Sequence, residues 1–199
     1  MERQYKAGMD GTEAFESRGN DVTVANPKTV RSSDFLLRLL ALALTLVAAI
    51  VLGVAKETQT VALTVVPTLP PLNVPVTAKW QYMSAFVYFV VTNAIACAYA
   101  TLSLVLSIAN RGGKSGLALM LIILDLVMVA LLFSGNGAAA AVGVLGYRGN
   151  SHVRWNKVCN IFGVYCRHIA ASIVLSLLGS LVFFLLVVLS ALNLHKKSP

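Results

Sequence analysis

Four apolar blocks dominate the chain: Phe35 to Ala55, Met83 to Ala109, Leu117 to about Leu145, and Ile169 to Leu194. Each is long enough to cross a hydrocarbon core of about 30 Å at about 1.5 Å per residue. A bilayer offers no water to an unpaired backbone amide, so a block of this length is stable there as a helix that closes its own hydrogen bonds. The expected fold class is therefore an all-α membrane protein, a single bundle of four transmembrane helices. With 57% hydrophobic residues, 12% charged residues and a mean hydropathy of +0.77, the chain lies far from the globular norm, which agrees with this expectation.

The third block includes FSGNGAAAAVGVLG, with a polar Asn136 and several glycines. Glycine is tolerated in membrane helices, so the helix is expected to continue to about Gly146. Residues 1–34 are charged and lack helical periodicity, and are read as a disordered cytosolic tail. Residues 195–199 form a second, short cytosolic tail. No basic-then-apolar segment with a small-residue cleavage site opens the sequence, so the first block is expected to remain as a membrane anchor.

An even number of spans puts both termini on one side. That side carries nine Lys and Arg (Arg3, Lys6, Arg18, Lys28, Arg31, Arg111, Lys114, Lys196, Lys197), against six in the other two loops (Lys56, Lys79, Arg148, Arg154, Lys157, Arg167). The positive-inside rule then favours cytosolic termini. Trp80 and Tyr82, just before the second block, suit an interfacial aromatic anchor. The net charge of +8 reads as contact with anionic lipid headgroups and not with nucleic acid, because no compact basic domain exists to read a groove. Lys196 and Lys197 stand fourth and third from the end, where a dilysine retrieval signal would lie; their closeness to the last block also fits a simple cytosolic anchor.

Within the first block Ala41, Thr45, Ala49 and Gly53 form a small-residue ladder with Arg38 on the same face. Small residues mark where membrane helices approach one another, so this face is expected to look into the bundle. Arg38 then either pairs inside or snorkels to the headgroups. Asp125 stands alone in LIILDLVMVALL. An unpaired carboxylate at mid-membrane costs about 2.5 to 3.5 kcal/mol on insertion scales. Counted from the far helix ends, Asp125 and Arg38 lie at similar depth, which predicts an intramembrane ion pair; a neutral Asp125 bonded to Thr45 or Asn93 is the alternative. Asn93 and Cys97 share a face of the second helix, and Ser172, Ser176 and Ser180 ladder along the fourth, as helix-packing and interhelical hydrogen-bonding positions.

The second outer loop, YRGNSHVRWNKVCNIFGVYCRH, holds Cys159 and Cys166. In an oxidising compartment a disulfide closing this ring stabilises by about 2 to 3 kcal/mol. A zinc site using the two thiols with His152 and His168 is the other possibility, although no CxxC pair is present. Cys97 reads as an inert packing residue. No nucleophile beside a histidine, paired carboxylates, phosphate loop, dinucleotide fingerprint or HExxH occurs, so no catalytic activity and no cofactor are expected.

Taken together, RSSDFLLRLLALALTLVAAIV with its Arg38, LIILDL around Asp125, NGAAAAVGVLGYRGN and WNKVCNIFGVYC resemble a plant family, the Casparian strip membrane domain protein-like proteins, distant relatives of the four-helix MARVEL proteins. The resemblance runs from Arg31 to Leu192. It implies a plasma-membrane protein with cytosolic termini that associates with itself and with related family members. Its best-known members form an immobile platform in the root endodermis that guides local lignin deposition. Their first outer loop carries a compact signature, whereas KETQTVALTVVPTLPPLNVPVTAKWQY is longer and Pro-rich, which points to the broader group and its first subgroup. The expectation is a scaffold that assembles laterally. Its second outer loop, through Trp155, Phe162 and Tyr165, would present a surface to the wall or to partners, cell-wall-modifying proteins among them. A small transporter or channel using Arg38 and Asp125 as relay or gate is the alternative; no inverted repeat or matched broken helices accompany it.

Overall fold

The computed structural model describes residues 27–63, 72–109, 115–152 and 155–197. Its helices are α1 (Pro27–Gly53), α2 (Ser84–Ala109), α3 (Ser115–Arg148) and α4 (Gly163–Lys197), and each contains a stretch long and apolar enough to span a membrane. The chain is a four-helix membrane bundle. Between α1 and α2 lies an antiparallel hairpin, β1 (Lys56–Leu63) and β2 (Leu72–Lys79). The all-α expectation did not contain it. Pro75 sits in β2 opposite Thr60, which a two-stranded ribbon tolerates because every strand is an edge.

Helix ends also differ from those expected. Residues 27–34, assigned to the tail, form the first two turns of α1, with Pro27 at the helix start where its missing N–H costs nothing. Residues 1–26 lie outside the described residues. The fourth helix begins at Gly163, not at Ile169, and runs on through Lys197, so most of the short second tail is helical. Its first turns carry Arg167 and His168, polar residues that read as loop but need only lie beyond the hydrocarbon.

The principal packed pairs are α1–α2, α2–α3, α3–α4 and α1–α4, a ring in which α1 faces α3, and α2 faces α4, across diagonals. Buried positions follow an alternating spacing of three and four residues in every helix. In α1 they are Arg38, Ala41, Thr45, Ala48 and Leu52; in α3, Asp125, Met128, Leu132, Gly135 and Ala139. In α4 they run Tyr165, Ile169, Ser172, Ser176, Gly179, Phe183 and Leu186. This seven-residue repeat is the pattern of helices wound gently about each other with interlocking side chains. It also corrects the small-residue ladder. A spacing of four drifts about 40° per step on a helix of 3.6 residues per turn, so Ala49 and Gly53 slip to the flank and are only half-buried.

The core has two apolar halves. Ala41, Ala96, Leu132 and Phe183 belong to the half toward the chain termini, and Ala48, Phe89, Ala139 and Ile169 to the half toward the hairpin. Between them each helix contributes buried polar groups: Thr45, Asn93, Asn136, and Ser176 with Ser180.

The hairpin closes the open ends of two helices. The Trp80 indole Nε1–H donates to the Gly53 carbonyl at 2.8 Å, capping the last turn of α1. The Glu57 carboxylate accepts the Tyr165 backbone N–H at 2.8 Å in the first turn of α4. Phe162, which precedes that helix, has no side-chain acceptor for this task, so a strand supplies it. At the end of α3, Gly149 has φ +69° and donates its N–H to Leu145 O at 2.8 Å, a left-handed helix stop.

Candidate functional site

One layer of the bundle gathers its charges. Arg38 projects from α1 toward α3 across the diagonal: its guanidinium donates to Asp125 Oδ2 at 3.2 Å and to Oδ1 at 3.4 Å. Arg38 is 3% exposed and Asp125 fully buried, so each charge needs the other. The Arg38 Nε–H also donates to Asp34, one turn earlier, at 3.1 Å. From α2 the Tyr99 hydroxyl donates to Asp125 Oδ1 at 2.7 Å, with the Leu121 carbonyl at 3.2 Å. Its ring in turn lies 6.2 Å from that of Phe183 on α4. Four helices therefore meet in one layer: one diagonal is ionic and the other aromatic.

Asp125 thus has three hydrogen-bond donors aimed at its two oxygens, two from Arg38 and one from Tyr99. The two guanidinium contacts are long for a charge-assisted bond, usually about 2.7 to 2.9 Å, so the shortest contact to the carboxylate is the neutral phenol. Snorkelling of Arg38 is not what the geometry shows, since its head group turns inward. Thr45 and Asn93, offered as partners of a neutral Asp125, bond elsewhere: Thr45 Oγ1 to Ala41 O at 2.8 Å and Asn93 Nδ2 to Phe89 O at 2.9 Å. Asp34 and Tyr99 were not singled out in the sequence. Asp34 was hidden in the supposed tail, and Tyr99 looks like an ordinary aromatic until its seam position is counted from Ala96.

Of the packing residues, Ala41, Thr45, Asn93, Ser172, Ser176 and Ser180 are buried in the bundle, whereas Ala49 and Gly53 lie on its flank. Thr45 Oγ1 lies 3.1 Å from Cys97 Sγ, joining α1 to α2. Asn136 Nδ2 donates to Ser180 Oγ at 3.2 Å, joining α3 to α4. Ser172 and Ser180 bond back to their own helix, at Ile169 O and Ser176 O. Gly135 and Gly179 make close approach possible. A Cβ on Gly135 would stand 2.5 Å from Thr92 Oγ1, and one on Gly179 would stand 3.0 Å from Thr45 Cγ2.

At the hairpin end Cys159 and Cys166 are joined as a disulfide with their Cα atoms 5.7 Å apart. The thiols are therefore spent, and among the described residues no group of three His, Cys, Asp or Glu could hold a metal ion. The outer-loop surface needs correction. Trp155 is 40% exposed, but Phe162 and Tyr165 are each 6% exposed and pack into the hairpin-side core, with Tyr165 edge-on to Phe86 at 6.4 Å. Their spacing from Ile169 continues the α4 seam, so they belong to the bundle and not to the loop. Glu57, the carboxylate at this end, is held below its ordinary range by the Gln59 amide that donates to it and by the backbone N–H of Tyr165.

Residues 27–182 match the family described as the Casparian strip membrane protein domain. The chain is 60% identical over 186 residues to CASP-like protein 1E2 of Glycine max, covering 94% of this chain and all of that relative. It is 56% identical over 197 residues to CASP-like protein 1E2 of Vitis vinifera, covering 99% of this chain and all of the relative. CASP-like protein 1E1 of Arabidopsis thaliana is 47% identical over 195 residues, 98% of this chain and all of that protein. These relatives carry first-subgroup names. No solved structure matches.

Proposed function

The chain belongs to the Casparian strip membrane protein domain family, and from that premise we propose that it is a plasma-membrane scaffold. It keeps both termini in the cytosol, assembles laterally with copies of itself and with family relatives, and organises a membrane domain at which the cell wall is locally modified. One observation carries the reading. On the lipid-facing side of α3, Ala130, Ser134, Gly137 and Ala141 are all exposed at seam-like spacing, and a Cβ at Gly137 would meet nothing within 4 Å. Water does not drive apolar surfaces together inside a bilayer, so association there depends on close backbone approach, which a ridge of small residues permits. Among the described residues Tyr88 reaches this ridge, its hydroxyl donating to Ser134 at 3.2 Å.

A transporter or channel reading finds less support. Arg38 and Asp125 are engaged with each other and with Asp34 and Tyr99, and fully buried Leu132 and Phe183 lie in the same half of the core. Photobleaching of a fluorescent fusion in plant cells tests the scaffold: slow recovery in patches is expected, and faster recovery in Gly137→Leu. Rapid, uniform recovery of the unaltered protein refutes lateral assembly. Flux of small solutes into liposomes containing the purified protein would move the reading to a transporter.

A further inference from the structure

The base of the hairpin carries an unbalanced charge. Lys56, the first residue of β1, and Lys79, the last of β2, are register partners. Directly opposed residues leave the same face of the ribbon, and like charges so placed repel. Neither lysine has an ion-pair partner among the described residues. Glu57 alternates to the other face and is already engaged by Gln59 and Tyr165.

Beside Lys79 the bundle is incompletely filled. A hollow of about 160 Å³ is lined by Lys79 together with Tyr82, Met83, Val142 and Ile169. A second, of about 360 Å³, adjoins it through Gly143, Cys159 and Cys166, and continues between α3 and α4 past Val144, Ala170 and Val174. The cause is local: Ala140, Gly143 and Gly146 come round to this side of α3 every third residue and offer almost no side chain to fill the space. Both helices belong here to stretches long and apolar enough to span a membrane, Leu119–Arg148 and Gly163–His195, and Val144 and Val174, which line the hollow, are more than half exposed.

We propose that the hairpin base and this hollow form one binding site for an anionic phospholipid. The phosphate sits between the ammonium groups of Lys56 and Lys79, and one acyl chain fills the hollow between α3 and α4. The two lysines supply donors and charge, and an anion between them removes their repulsion. The hydrocarbon gains little from leaving the bilayer, which is equally apolar, but it restores the van der Waals contacts that an empty hollow forfeits. Selectivity therefore comes from the headgroup. A second copy of the chain is a poorer occupant of this end, because it would bring further positive charge, Lys56, Lys79, Arg148 and Lys157 among it.

Native mass spectrometry of the full chain tests the site, using protein purified in neutral detergent and incubated with equal amounts of phosphatidylglycerol and phosphatidylcholine. One retained phosphatidylglycerol is expected. A lysine near an anionic lipid is worth about fivefold, so the preference should fall about 25-fold in the Lys56→Gln, Lys79→Gln double variant. Gly143→Leu should lose both lipids. Gly143→Ala should not, since its Cβ meets only Ile169 Cγ2 at 3.7 Å. Where Gly143→Leu does not fold, Val174→Trp fills the same hollow from a position 56% exposed. Equal retention of the two lipids, or a preference unchanged in the lysine variant, overturns the headgroup assignment. Lipid retained when the hollow is filled overturns the acyl-chain assignment, and so does a filled hollow that alters only the association of chains.

Discussion

The Glu57 carboxylate and the Tyr165 backbone N–H meet at 2.8 Å although 108 positions separate them in the chain. This contact ties the first loop to the start of the last helix. Glu57→Ala should lower stability by up to about 1 kcal/mol, as removal of a helix N-cap does. The effect has a definite pH dependence. The folded-state carboxyl lies below its ordinary value of 4.5, so its contribution is complete above that value and is lost as the pH falls through the lower, folded-state one. Thermal unfolding of the protein and of Glu57→Gln in nanodiscs should differ by a constant amount from neutrality down to about pH 5.5, and the two should converge on further acidification.

The diagonal ion pair predicts strong non-additivity. Arg38→Leu and Asp125→Leu each strand a buried charge, which costs about 3 to 5 kcal/mol in water-soluble proteins and less in membranes. The double substitution should recover much of that loss. Tyr99→Phe, which removes only the 2.7 Å bond to Asp125, should cost about 1 kcal/mol. Simple addition of the two leucine effects in detergent melts would show that Arg38 and Asp125 act independently.

Cysteine chemistry gives a mass that can be read directly. Alkylation without reduction should modify Cys97 alone, and alkylation after reduction should modify all three cysteines. Cys159→Ser should lower stability by about 2 to 3 kcal/mol through the opened ring. Three modified thiols in the unreduced protein would contradict the pairing.

Gly135 offers a second-site test. Gly135→Ala drives a Cβ to within 2.5 Å of Thr92 Oγ1, and overpacking of this kind costs about 1 to 3 kcal/mol. Thr92→Ala removes the obstructing oxygen and should restore the melting temperature of Gly135→Ala. Failure of that rescue would place the strain elsewhere than between α2 and α3.

Much of the fold was legible because the bilayer sets a minimum apolar length, and a block of twenty apolar residues has few other uses. Arg38 and Asp125 were legible for the related reason that ionised groups are expensive there and need partners. What escaped was set by contacts distant in sequence or by helix outside the hydrocarbon. Asp34 lay in polar helix that looked like tail. Phe162 and Tyr165 lay in helix and loop residues that looked like surface. The hairpin was obscured by its prolines, although Thr58 and Thr77, whose hydroxyls meet at 2.9 Å, sit on strands with ordinary alternation. Glu57 could not be recognised as a cap without knowing that α4 starts at Gly163 with an apolar residue before it.

The three-and-four seam restricts how the family's helices can change length. Adding a single residue within α4, between Ser172 and Ser176 for instance, rotates everything beyond it by about 100° and turns Gly179 and Phe183 away from their partners. An insertion of seven residues restores the facing surfaces and lengthens the helix by about 10.5 Å. Descendants fitted to a thicker or thinner bilayer should therefore reach it through tilt or through matched changes of whole repeats in all four helices. Single-residue insertions should be tolerated in the loops and not within the helices.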